Sequence, residues 1–395
     1  MRFPFDTSRL YEPPTEFAWL VRHRPVAPIV LPTGDPAWLV CGYEEVRVAL
    51  SDPRFSRAAA TAPDAPRMRP LPPDRRGILA MDPPAHTRLR RLVARAFAAR
   101  RVREMRGDLE HVAADLLDRL SAAGPPADLV PGFALPLPIT VICALLGVPP
   151  ADRATFSGWT DTMLTLTGST ADEVGAARAA MNGYLADLVA KKRRNPPAAN
   201  PDLMDELIAA RDEEDRLSEE ELIIFASTLL IAGYHTTSAA IVNSVVVLMR
   251  HPEQYRRLVR EPARVPSTVD ELLRYSAAAT NGGNLRVAVE PVTLGGVDIK
   301  PGEAVLPAII AANRDPAVFA DPDRFDPDRA DNPHLAFGGG VHYCLGANLA
   351  RLELEVALTA LTTRFSALRL AVDEAELSWD DRAVIKRLDR LPVAW

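Results

Sequence analysis

From Leu222 to Met249 the chain carries no formal charge. As a helix, such a run is long enough to cross a bilayer. Polar side chains interrupt it, however: Ser227, Thr228, His235, Thr236, Thr237, Ser238, Asn243 and Ser244. Each would be costly in hydrocarbon. The reading is therefore a helix covered on all sides within a large soluble protein. Ser218-Glu219-Glu220-Glu221 fixes its start as a capping box, in which Ser218 caps an amide and Glu221 reaches back. A chain of 395 residues that is 48% apolar can bury such a helix.

The rest of the chain is read around this element. Ala37–Cys41 reads as a strand and Tyr43–Leu50 as a short helix. Arg57–Leu79 reads as a long loop rich in proline, alanine and arginine. An arginine-laced helix is expected over His86–Phe97 and another over Val102–Ala122, with a mostly helical body to about residue 275. Leu285–Ile299 and Glu303–Ile310 carry β-type runs separated by Gly-Gly and Pro-Gly turns. A last helix is expected from near Gly346 to Phe365. The fold class is thus mainly α with a small β portion, an α+β arrangement.

Bulk properties exclude several functions. The net charge of -6 argues against general nucleic-acid binding, which needs a basic surface. The three cysteines, Cys41, Cys143 and Cys344, are far apart and odd in number, so neither a disulfide framework nor a zinc site can be read from them. A reducing cytoplasm fits this usage. The opening Met1-Arg2-Phe3-Pro4-Phe5-Asp6 shows no signal-peptide core, and no membrane anchor is expected.

The most informative chemistry lies in Phe337-Gly338-Gly339-Gly340-Val341-His342-Tyr343-Cys344-Leu345-Gly346. Its glycines let the backbone bend sharply and approach a flat ligand. Cys344 precedes a helical run, where the dipole and free amide hydrogens should lower its pKa. A thiolate held this way is a strong, soft ligand for iron. Thiolate ligation of haem favours O–O cleavage.

This segment resembles the haem-binding signature of the cytochromes P-450, Phe-Gly-x-Gly-x-His-x-Cys-x-Gly, at every fixed position. The resemblance implies the cytochrome P-450 fold, with haem b between the long buried helix and the helix after the cysteine. It makes Cys344 the axial metal ligand and places His342 near a haem propionate, with Phe337 and Gly338 also at the cofactor. It covers nearly the whole chain, from about Phe3 to Trp395. A single domain over 1–395 is expected, with β-rich parts near 25–45 and 285–310, a helical body over about 86–275 and the ligand loop at 337–346.

Other motifs fit the same family. Glu271-Leu272-Leu273-Arg274 puts opposite charges on one helix face. In the family this motif forms a buried network with the segment before the cysteine loop, which here is Phe319–Phe325. Glu271, Arg274 and Arg324 are assigned to it. His86-Thr87-Arg88-Leu89-Arg90 places His86 and Arg90 one turn apart, and Arg286 stands where the family has a propionate-binding residue. His86, Arg90 and Arg286 are the expected propionate partners. The same stretch, 86–106, adds Arg88, Arg91, Arg95, Arg100, Arg101, Arg103 and Arg106. These form either a solvated basic face or a docking site for an acidic electron donor. The resemblance implies a ferredoxin and its reductase.

Within the long helix, Ala232-Gly233-Tyr234-His235-Thr236-Thr237 resembles the family's oxygen-activating sequence, Ala/Gly-Gly-x-Asp/Glu-Thr-Thr/Ser. Gly233 is expected to let a flat ligand or O2 approach the backbone. Thr236 is expected to bond back to the Ala232 carbonyl and open a polar notch. The one departure is His235, where the family has an acid that helps deliver protons. Three readings stay open for it: a substitute proton relay, a structural histidine, or chemistry that does not insert oxygen.

The function implied is an oxidase that uses haem, O2 and two electrons on a small organic substrate, with natural-product hydroxylation or epoxidation as the usual outcome. Oxidative C–C or C–N coupling of aromatic substrates, such as cyclic dipeptides, is the alternative. A haem sensor or haem-binding protein is the rival from another class. Segments expected to line the substrate are Arg57–Leu79, Thr162–Tyr184, Ala277–Leu285 and the turn at Val384–Ile385. The uncharged run Ser276–Leu285, with Asn281 and Asn284, suggests a neutral substrate.

Overall fold

The structure is a computed structural model that describes residues 1–5, 13–69, 74–164, 169–195, 201–212, 217–276, 284–379, 385 and 388–395. Helices dominate it. The uncharged run forms one continuous helix, α1 (Glu219–Arg250), with most of its side chains buried. Its start is the capping box read from the sequence: Glu221 N–H donates to Ser218 Oγ (3.1 Å) and Ser218 N–H to the Glu221 carboxylate (2.8 Å). Length and apolarity alone would let α1 cross a membrane, but this chain's own elements cover it. Helices Pro136–Leu145, Ala171–Arg194 and α2 (Ala347–Arg364) pack against it.

Besides a three-stranded and a two-stranded sheet, the β portion holds a five-stranded sheet. Its strands are β1 (Val26–Val30), β2 (Pro36–Val40), β3 (Phe55–Ser56), β4 (Arg286–Ala288) and β5 (Ala304–Pro307). Their spatial order is β1-β2-β5-β4-β3. β2 and β5 are parallel, pairing Trp38 with Val305, and the other pairs are antiparallel. The sheet draws strands from the first sixty residues and from beyond residue 285. That pairing carries Arg286, on β4, close to β3 and the residue after it, Arg57.

The arginine-rich stretch differs from expectation. It is not one helix or two but three, Ala85–Val93, Ala99–Glu104 and Arg106–Ala123. Short i→i+3 bonds turn the chain between the first two: Ala96 N–H to Val93 O and Ala98 N–H to Arg95 O. The turn buries Ala96 and Phe97, and Asn348 of α2 caps the freed Phe97 carbonyl (3.3 Å). Core burial overrides helix propensity here.

Candidate functional site

The loop before α2 is closed by Cys344 N–H donating to Phe337 O (2.9 Å). Gly338 and Gly340 sit in the left-handed region, at φ +73° and +63°. Their surroundings differ. A Cβ on Gly340 would strike the Leu50 carbonyl, so this glycine seats the loop on helix Tyr43–Ser51. A Cβ on Gly338 or Gly346 would meet nothing within 4 Å, which leaves room for a flat group. The Arg351 guanidinium lies over the Phe337 ring (4.6 Å) and donates to Asp270 (2.9 Å), which fixes the loop to its helix.

Cys344 has accessible surface, yet surrounding protein desolvates its thiol. It therefore faces a hollow within the protein. Burial pushes the thiol pKa up, while the Gly346 N–H, Arg90 and Arg351 pull it back. The lowered pKa expected from the helix terminus is thus overturned, because desolvation outweighs the dipole and the nearby cations. A coordinated metal cation would deprotonate such a thiol outright.

Beside this loop the structure gathers a cationic cluster. The His86 and His342 rings lie 4.3 Å apart. His86 Nδ1 and His342 Nε2 are buried without a hydrogen-bond partner. Arg90 donates to the Tyr343 carbonyl (2.6 Å). Arg286 is buried with no ion pair among the described residues, and desolvation lowers its pKa to about 10. Burial, His86, Arg57 and Arg286 push His342 down to about 3. Arg57 is a member that the sequence reading left in a substrate loop. It is buried, donates to Leu79 O (2.8 Å) and Leu285 O, and is lowered to about 9 by desolvation and by Arg286. Uncompensated buried cations are costly. An anionic group such as a pair of haem propionates would satisfy them, so the residues present fit that cofactor. The sole sequence signal for Arg57 was an arginine directly after the short β run Phe55–Ser56.

On α1, accessible surface follows one stripe, Thr228, Ala232, Thr236 and Ala240, on a helix otherwise mostly covered. Residues four apart share a helix face, so this edge borders an opening. Thr236 Oγ1 donates to Ala232 O (2.5 Å), the local back-bond expected from the sequence. Gly233 does not act as expected. A Cβ there would lie 3.1 Å from Ile142 of helix Pro136–Leu145, so the missing side chain admits a neighbouring helix rather than a ligand. Ala232, one residue earlier, is the position turned to the opening. His235 is buried against the Tyr234 ring, with Asp161 3.4 Å from its Nε2.

Glu353 was missed altogether. It lies on α2, almost fully buried, with Oε2 unpartnered. Desolvation raises its pKa to about 8 despite a hydrogen bond from Thr237 of α1. The signal was available: Leu349, Leu352 and Val356 mark the buried face of α2, and Glu353 falls on it.

The Glu-x-x-Arg motif on helix Val265–Tyr275 is buried as expected. Arg274 grips Glu271 with two bonds of 2.7 Å. Arg274 also donates to the carbonyls of Asn313 (2.9 Å), Pro322 (2.8 Å) and Arg324 (3.1 Å). The role given to Arg324 is corrected. It offers only its carbonyl and its side chain is exposed, whereas Arg329 brings its guanidinium to Glu271 (3.5 Å).

Of the substrate-lining expectations, residues 70–73, 165–168, 277–283 and 384 lie outside the described residues, Asn281 among them.

Comparison with known proteins bears on this arrangement. The family model "Cytochrome P-450" matches residues 156–378. The chain is 45% identical to nocardicin C N-oxygenase of Nocardia uniformis subsp. tsuyamanensis, over 100% of this chain and 98% of that one. It is 44% identical to mycinamicin IV hydroxylase/epoxidase of Micromonospora griseorubida, again over 100% and 98%. A crystal structure of cytochrome P-450mel 107F1, described as having biaryl coupling reactivity, superposes with a TM-score of 0.95 at 41% identity, covering 100% of both chains. With the fold and the cysteine loop as described, the chain belongs to the cytochrome P-450 family of haem-thiolate monooxygenases.

Proposed function

We propose that this chain is one cytochrome P-450 unit that inserts oxygen into a small organic molecule of natural-product biosynthesis, by hydroxylation or epoxidation. Cys344 would supply the thiolate ligand to a haem iron. His86, Arg90, Arg286 and His342, together with Arg57, would hold the propionates of haem b. Phe337 and Gly338 would also contact it. Ala232 and Thr236, exposed on α1, would line the opening for O2 and substrate. Haem ligated in this way supplies reductive activation and cleavage of O2. The protein's own residues orient the substrate, keep bulk water out and carry protons to the notch beside Thr236. Two electrons come from a ferredoxin and ferredoxin reductase, and the setting is the cytoplasm.

The observation that carries this reading is the meeting of a desolvated thiol with a cluster of imidazoles and guanidiniums that lack an anion. The names of two relatives, an N-oxygenase and a hydroxylase/epoxidase, support oxygen insertion. A second reading is oxidative coupling of aromatic substrates. It is favoured by His235 in place of the family's acid and by the likeness to a protein with biaryl coupling reactivity.

Reduced protein under carbon monoxide should show the thiolate-type Soret band, and Cys344→Ala should abolish it. A band that survives this change would remove Cys344 as ligand. Turnover under isotopically labelled O2 separates the two outcomes. Labelled product supports insertion, while coupled product without label eliminates it for that substrate.

A further inference from the structure

The family's acid is missing from α1, and the structure shows what stands opposite the residue that replaces it. His235 is 3% exposed, and its Nε2 lies 3.4 Å from Oδ1 of Asp161. Asp161 belongs to helix Arg153–Met163 and is 45% exposed. The two helices are tied a second time, because the hydroxyls of Ser157 and Tyr234 are hydrogen-bonded (2.8 Å). Ser157 and Asp161 are four residues apart and share one face of their helix. Tyr234 and His235 are adjacent, with ring centroids 4.1 Å apart. Two neighbours on α1 thus meet two aligned residues on the crossing helix, which makes the approach of Asp161 to His235 a built contact.

We propose that Asp161 supplies, from the neighbouring helix, the carboxylate that α1 lacks, and that Asp161 and His235 form a proton relay to the notch at Thr236. This inference rests on the oxidase reading above. Nearly half of the Asp161 side chain meets solvent, so it can exchange protons there. Buried His235 can accept a proton on one ring nitrogen and release one from the other. A carboxylate beside an imidazole orients the ring and stabilises its charged form in transit. In the relay, Asp161 passes a solvent proton to Nε2 and Nδ1 releases a proton toward Thr236; the ring then turns so that bare Nδ1 meets Asp161 and Nε2–H meets Thr236, ready for the next proton. One proton enters and one leaves, with no oxidant or reductant involved.

His235 faces Asp161 from the crossing helix and Tyr234 on its own turn. Two other titratable groups on the helices packed here have neighbours of their own. Tyr184 donates to Asp152, and Arg178 lies near Asp74 and Arg69. Burial holds the Cys143 thiol neutral by raising it to about 12.

The test uses the haem-loaded protein, with styrene as probe substrate. Asp161→Asn should slow turnover driven by O2, ferredoxin and its reductase by about tenfold or more, and should enlarge the solvent deuterium effect. Turnover driven by hydrogen peroxide, which brings its own protons, should fall by less than about twofold on the same principle. Exchanging the pair, His235→Asp with Asp161→His, should recover much of the lost rate. A readout free of turnover is the nitrogen-15 signal of His235 Nε2 in the carbon monoxide form, which Asp161→Asn should displace. An unmoved signal would overturn the contact. Equal losses with both drives would overturn the relay and leave only a structural tie, and so would an unchanged O2-driven rate. Wild type without a thiolate-type carbon monoxide band would instead sink the oxidase reading, and the relay with it.

Discussion

Glu353 and Arg286 are both charged by type and both buried, yet they respond to burial in different ways. Glu353 has no cation, so burial favours its neutral form and its pKa rises from 4.5 to about 8. Below about pH 4.5 the carboxyl is protonated whether the chain is folded or not, and burial costs nothing extra. Between about 4.5 and 8 the unfolded chain ionises while the folded one holds its proton, so stability falls as pH rises. Glu353→Gln removes this loss. The stability of Glu353→Gln relative to wild type should therefore grow across that window, by up to about 4 kcal/mol at its upper end. Unfolding midpoints at pH 5 and pH 8 check this, and a constant difference would contradict it. Arg286 has no neutral form to fall back on, because its pKa remains near 10. It needs an anion, and the unpartnered nitrogens of His86 and His342 need hydrogen-bond partners. Arg90→Ala with Arg286→Ala should therefore shed haem. The haem-to-protein ratio after gel filtration should drop several-fold, and an unchanged ratio would remove the propionate role.

At the scale of elements, α1 is held by contacts that differ in how far the sequence reveals them. Its length, its capping box and the Thr236 back-bond are local, and each was readable from neighbouring residues. The ligand loop was readable for the same reason, since its residues are contiguous. What escaped depends on partners distant in the chain. The sequence marks Gly233 as an opening for a ligand, but the atom it makes room for belongs to Ile142. Arg57, the Glu353–Thr237 pair and the His235–Asp161 pair were hidden likewise, because no spacing rule joins residues on different elements. Arg324 and Arg329 show a finer limit: the motif located the segment, but not which arginine turns inward. The Gly233 contact can be tested directly. Alanine should gain about 1 kcal/mol of helix propensity, but crowding Ile142 at 3.1 Å should cost about 1–3 kcal/mol. Gly233→Ala alone should therefore lower the thermal midpoint. With Ile142→Ala, which removes both carbons at 3.1 Å, the same change should become stabilising. Additive effects would show that the two positions do not touch.

The whole molecule is acidic, at a net charge of -6, yet its charge is unevenly spread. Arginines crowd the short helices Ala85–Val93 and Ala99–Glu104, which reach the ligand loop through Arg90. Not all of them are available to a partner. Arg88 pairs with Glu221, Arg100 with Glu104, Arg101 with Glu206 and Arg106 with Glu355. Arg91, Arg95 and Arg103 are exposed and make no ion pair among the described residues. On the ligand loop, Val341 and Tyr343 are large apolar side chains that also stay exposed. A basic rim beside an exposed apolar patch, next to the cysteine loop, suits an acidic electron carrier that docks briefly. Charge would then act mainly on the rate of encounter, and salt would weaken it, since screening extends over only about 10 Å at 0.1 M. Reduction by an acidic ferredoxin should therefore slow as ionic strength rises. Replacing Arg91, Arg95 and Arg103 together by glutamine should slow it further and flatten the salt dependence. Replacing Arg100 and Arg101, whose charge is already balanced by Glu104 and Glu206, should do much less. Reduction by dithionite, which needs no docked protein, serves as the control and should be alike in all variants. A ferredoxin rate indifferent to salt, or equal losses from the paired and unpaired arginines, would rule out this face as the electrostatic docking site.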